Sequence, residues 1–489
     1  MLSHVTYVPK SVPRPAIRRV FALSLACRGP AGRGLRRRRS GPASGVGQTP
    51  ALPRGLGPAM LPHPVDSGQA RDRLWPQTKR MDAKMQSFAA TRDAGLARMQ
   101  AFVPGMGPLY ATGRNFDAGP EAAQAVSGLS PYIRRRLLTE PEVVAAAIAA
   151  HGPQDAAKFI DEVIWRGYFK GWLERRPQVW DAYRDGLRAD LDAIDRDRRL
   201  RRDMTRAMDG QTGLACFDAW ATELVETGYL HNHARMWFAS IWIFTLGLPW
   251  RLGADFFLRH LLDGDAACNT LGWRWVAGLH TRGKPYPAQA WNIATFTHNR
   301  FTPGDGDLAE VTQGLEATEP DGLPPVLPLR PVLPPAAGVP TALLITDEDC
   351  RIEDFDRGGL DLRGVATLGT GSLRSPLPVA DAVLRFDEAA LADAAARIGA
   401  DPVRLSPDAP DVLASWAAAL GARQIVTPYI PHGPLSDWMQ DAAGPLAARG
   451  IALTEWRRDW DSAIWPQAKA GFFKVKQHIP RILAQTLAG

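Results

Sequence analysis

Four polar residues of this chain have side chains suited to holding a phosphate group. Ser127 and Ser130 lie near a predicted helix start, and Tyr110 and Arg166 can add a hydroxyl and a guanidinium. Hydroxyls, N–H groups at a helix start and guanidinium groups are common ligands of phosphate. A serine at a helix start is also a common N-cap, so the residues alone leave both interpretations open.

Two carboxylates flank a glycine in Asp263-Gly264-Asp265, where they place hydrogen-bond acceptors close together. A segment of this kind is also typical of a surface turn. The four cysteines are scattered, and none forms a pair at metal-ligand spacing; they are Cys27, Cys216, Cys268 and Cys350. This argues against a disulfide framework, a zinc site and an iron–sulfur cluster, and it favours the reducing cytoplasm.

A helical region over residues 86–301 must position these side chains. It is rich in Trp, Leu, Ala and Arg, and Phe159, Val163, Ile164 and Phe169 mark one face at helical spacing. Nine prolines then predict an extended, semi-rigid linker over 302–340.

From residue 341 the pattern changes to short apolar runs that alternate with helical stretches. Residues 341–346 and 424–427 are predicted as buried strands, and 389–398, 412–420 and 435–449 as helices. This alternation predicts a parallel α/β sheet with helices on both faces. The strand ends carry no glycine-rich phosphate motif.

The first 85 residues form a basic leader that shows neither helical nor strand periodicity, so we expect disorder. Residues 1–80 hold fifteen Lys and Arg against two acids, a charge of +13, whereas the whole chain carries +7. The remainder therefore carries −6, so the whole-chain charge is poor evidence for nucleic-acid binding. The leader arginines could still attract nucleic acid. A signal peptide is a second alternative, and Met81 or Met85 could be the true start.

Three sequence blocks carry the main signal for function. They are Gly-Tyr-Leu-His-Asn-His-Ala-Arg-Met at 228–236, Leu-Asp-Gly-Asp-Ala-Ala-Cys-Asn at 262–269 and Gly-Trp-Arg-Trp at 272–275. In this order and spacing they resemble the core of the FAD-binding domain of DNA photolyases and cryptochromes. Residues 110–116, 126–130, 159–166 and 212–218 resemble further segments of that domain. The implied fold is an all-α photolyase-type FAD-binding domain followed by an α/β, Rossmann-like domain.

The resemblance implies FAD as cofactor and a set of residues around it. In this family Asp263 and Asp265 would face the flavin ring and ribose, Arg235 would pair with Asp263, and Asn269 would face flavin N5. The implied cofactor-binding residues are Tyr110, Ser127, Leu129, Ser130, Arg166, Asn232, Arg235, Asp263, Gly264, Asp265 and Asn269. Val126 departs from the family, which usually has threonine there.

Light-driven flavin reduction in this family needs a chain of oxidisable aromatic residues. Trp273 and Trp250 match its first two members. The third is not identified, because the matching segment 184–207 contains no tryptophan. Either another aromatic residue serves, with Trp220, Trp237 and Trp242 as candidates, or the relay is truncated. Any one of the 16 tryptophans is more often a core residue than a relay residue.

The residue types also match the pocket in which dimer-repairing members hold a flipped-out pyrimidine dimer. The matching residues are Glu162, Trp165, Asn232, Met236 and Trp275. Two features argue against repair: segment 285–293 lacks the arginine that helps to hold DNA, and the folded part is negatively charged. Arg134, Arg135 and Arg136, with Arg166 and Arg300, could form a local basic face, although such a run is usually just solvated.

Three functions remain open on the sequence alone. The first is a photolyase that repairs cyclobutane pyrimidine dimers in UV-damaged DNA, and the second is a cryptochrome-like photoreceptor with a protein partner. The third is a helical protein that has lost flavin and only binds a partner. Residues 413–484 are similar to the second half of the family's antenna domain, which would place an antenna-like domain at 341–489. An unrelated α/β domain is the alternative, and the residues do not identify an antenna chromophore.

Overall fold

The computed structural model describes residues 88–122, 125–310 and 312–487. The basic leader, with the predictions made for it, lies outside these residues. None of the helices in the described ranges combines the length and apolar character needed to cross a membrane.

Helices make up the regular structure of the described residues before 301. They are α1 Arg92–Phe102, α2 Pro108–Gly113, α3 Ser130–Arg134, α4 Glu140–Asp155, α5 Ala157–Glu174, α6 Gln178–Arg196, α7 Arg198–Met208, α8 Ala215–Thr227, α9 Asn232–Ser240, α10 Trp250–His260, α11 Ala266–Val276 and α12 Ala290–Phe296. The predicted apolar face of 159–169 is buried in α5. The helical spacing predicted for 159–169 agrees with α5, which packs against several later elements of the chain.

A five-stranded parallel sheet forms the second part of the fold. Its strands are β1 Pro340–Thr346, β2 Asp361–Leu368, β3 Val403–Leu405, β4 Gln424–Pro428 and β5 Ala452–Trp456, in the order β3-β2-β1-β4-β5. The flanking helices are α13 Asp381–Arg397, α14 Asp411–Ala419, α15 Pro434–Ala448, α16 Asp459–Ile464, α17 Phe472–Lys476 and α18 Ile479–Thr486. The predicted parallel α/β sheet is therefore confirmed, and β2, β3 and β5 add to the two predicted strands.

The helical part caps the carboxyl ends of β1 and β4. In open α/β sheets the ligand crevice lies where the strand order reverses, here between these two strands. Glu174 of α5 fills this position: its carboxylate accepts hydrogen bonds from the Tyr429 hydroxyl at 2.5 Å and the His432 N–H at 2.7 Å. Lys170, one turn earlier, lies 3.5 Å from Glu348, which follows β1. The crevice thus serves as a docking surface.

The three consecutive arginines are buried, so the predicted basic or solvated face is wrong for them. Arg134, Arg135 and Arg136 are 5%, 0% and 6% exposed. Each pairs with a carboxylate from the sheet part: Arg134 with Glu348 at 2.8 Å, Arg135 with Asp387 and Arg136 with Asp461 at 2.7 Å. These arginines hold the sheet part and cannot meet DNA.

The end of the sheet part returns to α5 through close contacts. A Cβ on Gly171 would lie 2.6 Å from Trp465 Cδ1 and 2.8 Å from its Cα, so only glycine allows this approach. Further along, Lys476 of α17 pairs with Asp161 at 2.5 Å. The proline-rich segment is also fixed: Arg175 Nη1 donates to the Leu327 carbonyl at 3.0 Å.

Candidate functional site

The loop between α10 and α11 presents Asp263 inside a charged cluster. Arg235, from α9, pairs with its Oδ2 at 3.0 Å, and Ser130, at the start of α3, hydrogen-bonds the same carboxylate. Burial would raise the pKa of Asp263, but Arg235, Ser130 and Arg166 outweigh it and lower the pKa. Oδ1 of Asp263 is buried and has no partner in the protein. Asp263 is therefore charged, and one of its carboxylate oxygens is available to accept a hydrogen bond from a ligand.

Asp265 has no such free oxygen. Its Oδ1 caps α11 by accepting the Cys268 N–H at 2.8 Å, and its Oδ2 faces Lys170 Nζ at 3.4 Å and Arg134 Nε at 3.9 Å. Burial would raise its pKa, but these cations, Lys170 first, lower it. The two acidic residues flanking Gly264 thus differ. Asp263 has one carboxylate oxygen without a partner, whereas Asp265 is held by Lys170 and Arg134, which also contact Glu348 of the sheet part.

Gly264 lies at the contact between the helical part and the sheet part. Its carbonyl accepts from Arg134 Nε at 2.9 Å, and an added Cβ would lie 2.9 Å from Arg374 Nη1. The structure therefore gives Gly264 a packing role between the two parts. Its predicted cofactor contact remains a prediction.

One face of α5 carries further predicted site residues. Glu162 and Arg166 are four residues apart and so share a face. Glu162 is part-exposed and pairs with Arg114, while burial raises its pKa more strongly than Arg114 lowers it. Burial also raises the pKa of Tyr110, which packs edge-on against Phe159 at 5.1 Å. Tyr110, Arg114 and Glu162 therefore lie close together beside α5.

Arg166 supplies an unpaired donor in this region. Its Nη2 is buried and has no hydrogen-bond partner. Burial would lower its pKa, but electrostatic interactions with Cys268, Asp265 and Asp263 raise it. An unpaired donor on Arg166 and an unpaired acceptor on Asp263 are costly unless a ligand satisfies them.

The serine loop is only partly as predicted. Ser127 Oγ accepts the Leu129 N–H at 3.3 Å, and Leu129 is 1% exposed. Ser130 is used by Asp263, so its hydroxyl is less available for the predicted phosphate contact. Ser127 and the backbone of this loop keep that role as predictions.

The start of α9 brings further predicted residues to the same region. Asn232 is half-buried at its first position, whereas Met236 is fully buried beneath it. His233 binds the Asn115 carbonyl at 2.9 Å, and burial lowers the pKa of His231 and His233 to about 4. Both histidines are therefore neutral and make hydrogen bonds within the protein. The substrate contact of Met236 stays a prediction.

Asn269 and the two predicted stacking indoles already have protein contacts. Asn269 Nδ2 donates to the Ala254 carbonyl at 2.7 Å, which fixes its amide. Trp275 stacks on Tyr286 at 5.3 Å. Trp165 stacks on Phe472 of α17 at 3.9 Å and 10°. One face of Trp165 is thus covered, and no local sequence signal indicated this contact.

The predicted electron-relay residues lie on two packed helices. A Cβ on Gly253 would lie 2.3 Å from Trp273 Cη2, so the Trp273 ring rests on α10 one turn from Trp250. Trp242 contacts Trp273 at 6.2 Å between centroids. Trp273 and Trp250 are 0% and 4% exposed, so neither could exchange electrons directly with solvent.

The comparisons with known proteins agree on the helical part. Residues 159–301 match the family model described as the FAD binding domain of DNA photolyase. A deoxyribodipyrimidine photo-lyase of Streptomyces griseus is 36% identical over 34% of this chain and 34% of that protein. One of Thermus thermophilus is 35% identical over 40% of this chain and 44% of that protein. The chain thus matches less than half the length of these relatives.

A solved structure of a bacterial class III photolyase from Agrobacterium tumefaciens is 25% identical, covers 48% of each chain and gives a TM-score of 0.36. A TM-score this low does not establish a shared overall architecture. The family model places the similarity in the region that contains Asp263, Arg235 and Arg166. Residues 159–301 are therefore similar to the FAD-binding domain of DNA photolyase.

Proposed function

We propose that this protein is an FAD-dependent photolyase that repairs cyclobutane pyrimidine dimers in UV-damaged DNA by photoinduced electron transfer. The observation that carries the proposal is the pair of buried polar atoms without a hydrogen-bond partner, Asp263 Oδ1 and Arg166 Nη2, on residues close enough to interact electrostatically. FAD has ring N–H and ribose hydroxyl groups for an acceptor and a pyrophosphate for a guanidinium. The residues present therefore fit the cofactor.

FAD, when bound, supplies a ring that absorbs light and exchanges single electrons with neighbouring groups. Arg166 and Ser127 would hold its pyrophosphate, and Asp263 would orient its polar edge, with Arg235 keeping that carboxylate ionised. Asn269, fixed by the Ala254 carbonyl, would present its remaining oxygen without reorganisation. These groups bind and orient the cofactor, and the buried helices around them exclude water.

Glu162 is the residue of this site suited to a pyrimidine edge. Burial raises its pKa, and its carboxylate oxygens could accept hydrogen bonds from the N–H groups of a base. Arg114 beside it can balance charge that develops on the base. Asn232 and the free face of Trp275 would complete the base contacts.

The test begins with a protein purified from cells and loaded with FAD. Blue light should restore intact thymines in dimer-containing single-stranded DNA, and Glu162→Gln should lower the repair yield without loss of FAD. Glu226→Gln, on α8, is the control and should repair normally. Repair that is unaffected by Glu162→Gln would remove the dimer-pocket assignment, and a protein that binds no FAD would refute the whole proposal.

One observation favours the second candidate, a cryptochrome-like photoreceptor. Phe472 covers a face of Trp165 that a base would otherwise use, and Lys476 anchors the same helix to Asp161. In that case the FAD-loaded protein would respond to blue light without repairing dimers. The repair assay therefore separates the two functions.

We further propose that residues 341–489 take the place of the family's antenna domain, after the helical part, with 302–340 as the linker. The docking of α5 on the carboxyl ends of β1 and β4 supports this role. A cavity of about 560 Å³ lies at the carboxyl ends of β2 and β3, lined in part by Gly369, Ser372, Leu384, Leu391 and Leu405. Its volume suits a small aromatic molecule.

A further inference from the structure

A line of aromatic rings leads from Trp250 toward the junction with the sheet part. The centroids of Trp250 and Tyr183 are 5.9 Å apart, and Tyr183 stacks on Trp180 at 5.2 Å and 28°. Trp250 and Trp180 are therefore no farther apart than the sum of these two distances. Tyr183 and Trp180 lie on the same face of α6, three residues apart.

The candidates Trp242, Trp220 and Trp237 do not extend the relay in this way. Trp242 is fully buried, and its other ring neighbours in the described structure are Phe217, Phe238 and Phe256. Phenylalanine is much harder to oxidise than tryptophan, so this branch ends there.

Trp220 and Trp237 instead stack on each other at 5.4 Å. Their further ring contacts are with Phe301 and His233, and no ring contact within the described residues joins them to Trp273 or Trp250. A hole that reaches Trp250, the second relay residue implied by the resemblance, thus has Tyr183 and then Trp180 as its next aromatic neighbours.

Trp180 has a proton acceptor, whereas Tyr183 has none. The Trp180 indole N–H donates to Asp437 Oδ2 at 2.8 Å. The Tyr183 hydroxyl is buried and has no hydrogen-bond partner. An oxidised phenol must lose its proton to be stable, so Tyr183 serves as a bridge and a hole can come to rest on Trp180.

The surroundings of Asp437 suit it to take a proton. Burial raises the pKa of this carboxyl, against the opposing effects of the Trp180 hydrogen bond and Arg184, whose Nη1 lies 2.9 Å away. Asp181 and His432 are the other charged or titratable groups that act on it.

We propose that Trp180 is the terminal electron donor for the light-driven reduction of FAD, with Asp437 as the acceptor of its indole proton. The inference rests on the proposed binding of FAD in this family's site. It assigns the third relay position to α6, before the segment 184–207 in which the family match would place it.

With FAD bound and excited by light, the relay would supply it with one electron, and the hole left on Trp250 would be filled by one electron from Trp180 across Tyr183. The Trp180 Nε1–H bond breaks, its proton goes to Asp437 Oδ2, and a neutral tryptophan radical and a carboxylic acid remain. Trp180 is 3% exposed, so a soluble thiol would return one electron through the protein, and the proton held by Asp437 would restore the indole N–H.

The first experiment compares FAD-loaded wild type, Trp180→Phe and Trp220→Phe under blue light with a thiol. Trp220 is the matched control because it is also a buried indole that donates to a carboxylate, Asp117 at 3.0 Å. We expect Trp180→Phe to lose most of the long-lived tryptophan radical and of the photoreduction, with FAD content unchanged. Trp220→Phe should behave as wild type. Wild-type behaviour of Trp180→Phe, or an equal loss in Trp220→Phe, would overturn the proposal.

The second experiment uses Asp437→Asn, which keeps an oxygen near the indole but cannot take its proton readily. Transient absorption should show a tryptophan radical cation that persists in this variant and a rapidly formed neutral radical in wild type. The same radical form and lifetime in both proteins would overturn the role of Asp437. A wild type that binds no FAD, or that is not photoreduced at all, would refute the proposed function instead.

Discussion

Arg135 provides the sharpest test of how the two parts of the molecule are held together. Its guanidinium is fully buried, and its Nε and Nη1 donate to Asp387 Oδ1 and the Leu262 carbonyl, each at 2.5 Å. Asp387 also lies 3.3 Å from Arg374. Arg135→Ala would remove the cation from this cluster and leave Asp387 and the Leu262 carbonyl short of a donor.

The expected loss follows from the burial of both partners, whose side chains are 0% and 2% exposed. Removing one member of a buried ion pair costs about 3–5 kcal/mol, because the other charge stays buried. Arg374 remains beside Asp387, so we expect the lower end of this range, about 3 kcal/mol.

Urea unfolding followed by circular dichroism would measure this loss, with Arg188→Ala as the matched control. Arg188 pairs with Asp185 at 2.8 Å, but the two side chains are 64% and 72% exposed. Exposed pairs of this kind contribute about 0.2–1 kcal/mol at most. If Arg135→Ala costs no more than Arg188→Ala, the assignment of the arginines to the junction is refuted.

Three other changes test the site itself. Asp263→Asn removes the charge that faces Arg235, and we expect the Kd for FAD to rise about tenfold, or ~1.4 kcal/mol; an unchanged Kd in a fluorescence titration would contradict this role. Trp273→Phe should leave FAD bound but strongly slow its photoreduction, and normal photoreduction would exclude Trp273 from the relay. Burial lowers the pKa of His231 and His233 to about 4, whereas unfolded histidine titrates near 6.5. The free energy of unfolding should therefore fall as the pH drops from about 6.5 toward 4, and equal stability at pH 7 and pH 5 would contradict this.

The sequence predicted those elements whose local pattern decides their structure. β1 is a continuous apolar run and was predicted, whereas β2 contains Asp361, Arg363 and Gly364 and is half-exposed at its start. β3 has only three residues. A strand of that length carries too little periodicity to be distinguished from a loop.

The site could be predicted only where the family blocks define it. The Arg235–Asp263 pair joins two such blocks, and the structure contains it at 3.0 Å. The contact of Asp265 with Lys170 depends on a residue outside these blocks, and the Phe472–Trp165 stack depends on the sheet part, so neither could be predicted. The arginine run was misinterpreted for the same reason, because partners such as Asp387 and Asp461 lie 252 and 325 residues away in the sequence.

The sheet part is attached to the helical part at both of its ends. The proline-rich segment is held near Arg175, and after β5 the chain comes back to α5, where Trp465 packs on Gly171. A protease cut within 302–340 would therefore leave two fragments that stay associated through the buried arginine pairs. The distance between the cavity in the sheet part and the cluster around Asp263 would then be set by this packing. It would not depend on an intact peptide chain.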